Sequence, residues 1–274
     1  DNIGPIDRSH LAPGEELEQS DATGWMAFYS LGMAEIAGVL HRSGARPGLG
    51  LVIKFLEHFA EISDSLEALG VWDEVDGFFY DQLRTSDGAT VPVKVRSMVG
   101  VIPLLATALV HESAIDHAET LGKKAATLVR QKHGEGAEPA SHLEKVRGEP
   151  GHRQFLLSVV TLDQLRRVLN ALLDEDEFLS PGGLRSLSQR YRGHPYELTV
   201  GGTTSSIDYE PAESTTAMFG GNSNWRGPVW FPLNYLLVDC LASFHDFYGD
   251  ELQVEYPTGS GTVPRTNAFR GTAT

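Results

Sequence analysis

"GGNSNWRGPVWFPLNYLLVDCL", Gly220 to Leu241, decides how this chain is read. Its second half is an apolar helical run, yet two tryptophans, an arginine and two asparagines crowd the approach to it. A helix that only filled a core would be served by Leu and Ala. Trp225 and Trp230 offer flat faces, and Asn222, Asn224 and Arg226 offer amide and guanidinium donors. That combination suits a sugar ring, which presents an apolar C–H face and a border of hydroxyls. The competing reading packs both tryptophans in the core and sets Arg226 against a buried carboxylate. The residues alone leave both open.

The flanking sequence predicts layers around that helix. From Ala22 to Leu40, "ATGWMAFYSLGMAEIAGVL" carries Trp25, Phe28, Tyr29, Gly32, Ile36 and Val39 on one face and further apolar residues around it, the pattern of a helix buried on most sides. "LVIKFLEHFAEISDSLEALG" has a single stripe, Val52, Phe55, Phe59, Ile62, Leu66 and Leu69, which predicts an outer helix stopped by Gly70. Short extended runs, Phe78–Leu83 and Val91–Val95, flank Ser86-Asp87-Gly88 and predict a hairpin. "RSMVGVIPLLATALV" has no charge after Arg96 and predicts a second inner helix kinked at Pro103. Glu112–Arg130 reads as amphipathic again, and Gln131–Arg153 as a polar excursion. Thr161 and Gln164 form a capping box before a stripe of Leu165, Val168, Leu169, Leu172 and Leu173. A loop-rich span with short strands at most then leads to the helix Pro228–Phe247. Alternating inner and outer helices predict an all-α fold, a partial (α/α)6 toroid or barrel with one small β-hairpin and long loops at one rim. A parallel α/β sheet is disfavoured, because no strand alternates regularly with the helices.

Composition narrows the partners. The chain has 274 residues, 41% of them hydrophobic, enough for a sizeable core. Its formal charge of -15 repels phosphate backbones, so nucleic acid is not an expected partner. No run approaches the ~18 apolar residues of a membrane helix. Cys240, a lone cysteine in an apolar run, reads as a small buried hydrophobe and fits a reducing, cytoplasmic setting. The opening "DNIGPIDRSHLAPGEELEQSD" reads as a loop already in progress, so a longer protein is the expectation.

The acidic candidates fall in three places. Glu18, Asp21 and Trp25 stand at the entrance to the first helix, where Asp21 either caps free N–H groups or faces a cavity as a general acid. "DYEPAEST" brings Asp208, Glu210 and Glu213 into the long loop before Trp225. "DEDE", Asp174–Glu177, reads as a solvated helix end. The histidines show no metal-ligand spacing, so neither a metal nor a cofactor is expected.

"NWRGPVWFPLNYLL", "LEQSDATGWMAFY", "WDEVDGFFYDQL", "VRSMVGVIPLL" and "DEDEFLSPGGLRSLS", with "DYEPAESTTAMFGGNSNW", together resemble glycoside hydrolase family 63, most closely its large bacterial members. Processing α-glucosidase I and mannosylglycerate hydrolase are more distant members. The resemblance implies an (α/α)6 barrel that hydrolyses α-glycosidic bonds with inversion. It implies Asp21 as the general acid; Trp25, Asn222, Asn224, Trp225, Arg226 and Trp230 are the candidate sugar contacts. The family's base, a Glu beyond the Trp-Arg-Gly-Pro helix, has no counterpart here, leaving Glu213, Glu210 and Glu255 as fallback candidates. Residues 1–261 are accordingly expected to form part of a catalytic domain incomplete at both ends, with 262–274 an irregular tail. An open arc of helices would leave apolar faces available for association. The alternative is a carbohydrate-binding or structural remnant without turnover.

Overall fold

The computed structural model describes residues 5–6, 11–44, 48–112, 144–212 and 226–263. It begins with β1 (Glu16–Glu18), α1 (Ser20–Arg42) and α2 (Leu49–Ala68). The strands β2 (Trp72–Asp73), β3 (Phe78–Phe79), β4 (Asp81–Arg84) and β5 (Thr90–Val93) follow. A 3-10 turn, Met98–Val101, runs into α3 (Ile102–Leu105) and β6 (Thr107–His111). Next come β7 (Glu144–Arg147), β8 (Gln154–Ser158) and α4 (Leu162–Leu172). The chain continues through β9 (Leu179–Ser180), β10 (Gly183–Leu184), β11 (Tyr196–Val200) and β12 (Thr203–Ile207) to α5 (Phe231–Tyr248).

This corrects the all-α toroid. Among the described residues there are five helices, one of them four residues long, and twelve strands in five small antiparallel sheets. The fold is mixed α and β. The error lies mainly in the charge-free run after Arg96, which is no long inner helix. Met98, Val101, Ile102, Leu104, Leu105 and Ala106 are all buried, but the run changes from 3-10 turn to short helix to strand within ten residues. Lack of charge reports burial on every side and is the same for a buried helix and a buried strand. Pro103 lies at the start of α3, where its missing N–H costs no hydrogen bond, so it opens a helix instead of kinking one.

The first helix also packs by a face other than the expected one. Its buried residues are Ser20, Gly24, Ala27, Ser30, Leu31, Ala34 and Ala37, while Met26, Tyr29, Ile36, Val39 and Leu40 are exposed. Small side chains let α1 approach closely: a Cβ on Gly24 would stand 2.9 Å from the backbone nitrogen of Pro103. Gly100 is tighter still, since a Cβ there would meet the carbonyl oxygen of Phe79 at 2.2 Å. The outer stripe of α2 contributes Phe59 and Leu66 to the core, and Gly70 follows with φ +65, the left-handed residue its stop requires.

The expected hairpin is present as β4 paired with β5, and β1 extends it on the other edge. The capping box is present too: Thr161 Oγ1 accepts from Gln164 N at 3.1 Å, and Gln164 Oε1 accepts from Thr161 N at 2.9 Å. Leu165, Val168, Leu169, Leu172 and Leu173 are all buried beneath it. Two apolar clusters hold the molecule. The larger joins α1–α5 with β3 and β8; the smaller gathers Leu83, Val93, Val95, Leu187, Tyr191, Ile207 and Tyr209 between the β4–β5 and β11–β12 hairpins. The amphipathic stretch expected after Glu112 lies outside the described residues.

Candidate functional site

The residue preceding α1, Gln19, gives its first turn no side-chain cap. The turn is secured instead from β4, where Asp81 Oδ1 accepts from both Ser20 N at 2.8 Å and Ser20 Oγ at 3.0 Å. Ser20 is fully buried and Asp81 is 8% exposed, so these bonds are shielded from water. Asp21 follows directly, half-buried, with Oδ1 accepting from Ala22 N at 2.8 Å. Trp25, one turn on, packs against the main core and meets Phe28 edge-to-face at 5.8 Å. Thus the acid candidate stands on a helix end fixed by a tertiary contact.

The second half of the candidate site is Arg226 to Trp230. Arg226 is 8% exposed, and its NH1 lies 3.3 Å from Glu210 Oε1. The segment is stitched to the residues that follow β10: Gly227 N donates to Ser186 Oγ at 3.1 Å and Ser186 N to the Pro228 carbonyl at 3.1 Å. Ser186 in turn accepts Met98 N through its carbonyl at 2.8 Å, tying the segment to the 3-10 turn against which α1 packs. Trp230 is the residue before α5 and is half-buried against the core. Asn234, which the sequence did not single out, fixes the first turn of α5 by accepting from Leu184 N and donating to the Leu184 and Trp230 carbonyls.

The structure therefore brings Arg226 and Glu210 together as a shielded ion pair, the bland reading of that arginine. Glu255, the other described fallback base, turns back on its own loop and accepts from Gly259 N at 2.8 Å. Glu213, Asn222, Asn224 and Trp225 lie outside the described residues. A cavity of about 30 Å³ beside Asp81, lined by Leu17, Tyr80, Val95 and Ser97 among others, has room for a single water molecule and not for a sugar ring. A hollow of about 450 Å³ lies at the C-terminal end of α5, between Arg147, Gln154 and Glu251. None of the sequence-predicted site residues lines it.

A polar cluster around the turn of "WDEVDGFFYDQL" went unread in the sequence. Asp73 Oδ2 lies 2.6 Å from Lys94 Nζ, which also reaches Asp76 at 3.2 Å. Burial works against the charge on Asp73, but Lys94 and the N–H groups of Asp76 and Val75 outweigh it and hold the carboxyl below its ordinary range. Glu177 is a correction to the solvated "DEDE": it is 9% exposed and lies between Arg96 at 3.7 Å and Arg190 at 3.4 Å. Arg96 is distant in sequence, and no local signal marks either arginine as its partner. Among the described residues, no group of His, Cys, Asp and Glu is arranged to hold a metal ion. No helix among them is long and apolar enough to cross a membrane.

No protein-family model matches the chain. It is 41% identical over 280 residues to a Saccharomyces cerevisiae protein, the uncharacterized protein YMR196W, in an alignment that covers 95% of this chain and 25% of the yeast protein. The chain thus spans about a quarter of the length of the curated relative it matches.

Proposed function

We propose that the chain carries the acid-bearing part of an α-glycosidase similar to glycoside hydrolase family 63. Asp21 protonates the glycosidic oxygen of an α-glucoside or a mannosylglycerate-like substrate, and water attacks the anomeric carbon from the opposite face with inversion. The proposal rests on the motifs and takes no support from a helical ring. The observation that carries it is the start of α1, where Ser20 is locked to Asp81 and the next side chain is a half-buried carboxyl group. A general acid needs a fixed position more than it needs a strong partner. Trp25 and Trp230 remain candidate sugar-facing aromatics, and Trp225 joins them from the sequence alone. Arg226 serves by holding its loop against Glu210.

A second reading, sugar binding without turnover, is favoured by the condition of the two described base candidates. Glu210 is committed to Arg226 and Glu255 to its own loop, so neither is poised to activate water. Calorimetric titration with maltose and mannosylglycerate, followed by proton NMR of any released sugar, tests both. Hydrolysis that yields the inverted anomer and is lost in Asp21→Asn supports the glycosidase. Binding by both proteins without release of sugar supports the second reading, and neither binding nor hydrolysis overturns both.

A further inference from the structure

Lys145 and Arg147 leave β7 on the same face, since residues two apart in a strand project together. Both meet the end of α5, but they are engaged differently. Arg147 NH1 donates to the Phe247 and Tyr248 carbonyls at 2.7 and 3.0 Å, and its NH2 lies 3.1 Å from Glu251 Oε1. It therefore takes both the negative end of the helix and a carboxylate. Lys145 has neither. Its Nζ donates to the neutral Tyr248 hydroxyl at 2.6 Å, and among the described residues no carboxylate pairs with it. Burial opposes its charge more than the Tyr248 ring, 5.3 Å from Nζ, supports it, and its pKa is lowered. Lys94 shows the contrary case: with Nζ 2.6 Å from Asp73 Oδ2, its pKa is raised. Tyr248 also lines the hollow of about 450 Å³, so the Lys145 amine stands one hydrogen bond from a space that holds a small molecule.

We propose that Lys145 is a covalent site for small uncharged aldehydes, which it captures as an imine with Tyr248 relaying the protons. The lone pair of the neutral amine adds to the carbonyl carbon. The Tyr248 hydroxyl gives its proton to the carbonyl oxygen and is refilled from the nitrogen; a second such transfer releases the oxygen as water and leaves a carbon–nitrogen double bond. Charge sets the class of aldehyde. Asp246, Asp250 and Glu251 line the hollow and Arg147 is already engaged, so an aldehyde that carries a carboxylate is repelled.

Brief exposure of the 274-residue chain to propanal and cyanoborohydride at neutral pH fixes imines as stable amines, and peptide mass spectrometry then reads each lysine. Lys145 should be labelled about fivefold or more faster than Lys54, an exposed lysine of α2. With glyoxylate, which carries a carboxylate, that preference over Lys54 should shrink. Tyr248→Phe keeps the ring that stacks on Phe244 at 6.3 Å and should bring Lys145 down toward the rate of Lys54. The parent protein alone decides the first two comparisons, whether or not the variant folds. Labelling of Lys145 no faster than Lys54, an equal or greater preference with glyoxylate, or unchanged labelling in a folded Tyr248→Phe protein would each overturn the proposal.

Discussion

Ser20 gives both its backbone N–H and its hydroxyl to one oxygen of Asp81, a residue 61 positions further along the chain. The first turn of α1 is therefore capped by a strand of the β4–β5 hairpin. Asp81→Ala leaves two buried donors on Ser20 without a partner and should cost about 2–4 kcal/mol in urea unfolding. Asp81→Asn retains an acceptor oxygen and should cost less. Hydrogen exchange in the first turn should speed up in the alanine variant; unchanged stability and exchange would show that the cap is dispensable.

Removing Arg226 should strand a shielded carboxylate, because the Glu210 side chain that faces it is only 18% exposed. Arg226→Met is expected to lose about 3 kcal/mol, and adding Glu210→Gln should recover part of the loss. Denaturant titration of the two single variants and the double variant measures the coupling. A stable Arg226→Met protein with impaired sugar binding would instead assign the guanidinium to the ligand.

Glu112 gives an acid-side test. Its carboxylate takes Arg153 Nε at 3.1 Å and NH2 at 2.6 Å, together with the N–H groups of Gly151 and Arg153. The Arg153 guanidinium leads these contacts in holding the group down at about 2, from an ordinary value of 4.5. A depressed carboxyl stabilises the folded chain above its unfolded value, and that contribution fades as pH falls toward the folded one. Glu112→Gln should thus melt below the parent at pH 7, with the gap closing between pH 4.5 and 2. A gap independent of pH would remove the ionic contribution.

Lys145 predicts the opposite kind of change. It sits in register with the fully buried Leu156, facing the core from an edge strand, and its Nζ donates to Tyr248 Oη at 2.6 Å. Burial lowers its pKa, and no carboxylate is paired with it among the described residues. Lys145→Met should leave stability unchanged or raise it by up to about 1 kcal/mol at pH 7. Since the folded value lies below the ordinary 10.5, the parent gains stability as pH rises toward 10.5, and the difference should vanish there. A loss of stability in the methionine variant would show that the ammonium–tyrosine bond outweighs its desolvation.

Local signals survived folding and long-range ones did not announce themselves. The Thr161–Gln164 box and the stripe below it are written within thirteen residues, and the structure keeps both. Ser86-Asp87-Gly88 likewise fixed its hairpin. By contrast, the run from Ser97 to Val110 reads the same whether it is helix or strand, and which side of α1 is buried depends on Gly24 meeting Pro103. Glu177 looked solvated because Arg96 and Arg190 reach it from other parts of the chain. At the candidate site, sequence placed Asp21 at a helix start, but the Asp81 contact that secures it could not be read from spacing.

The proton donation proposed for Asp21 is tested most directly by the dependence of turnover on the leaving group. Turnover by Asp21→Asn should be compared on an alkyl α-glucoside and on 2,4-dinitrophenyl α-glucoside. An amide keeps the shape of the acid but has no acidic proton to give. Turnover should fall about 10²–10⁴-fold on the alkyl substrate and far less on the dinitrophenyl one, whose leaving group departs without protonation. Equal losses on both substrates, or alkyl turnover that survives the substitution, would contradict Asp21 as the general acid.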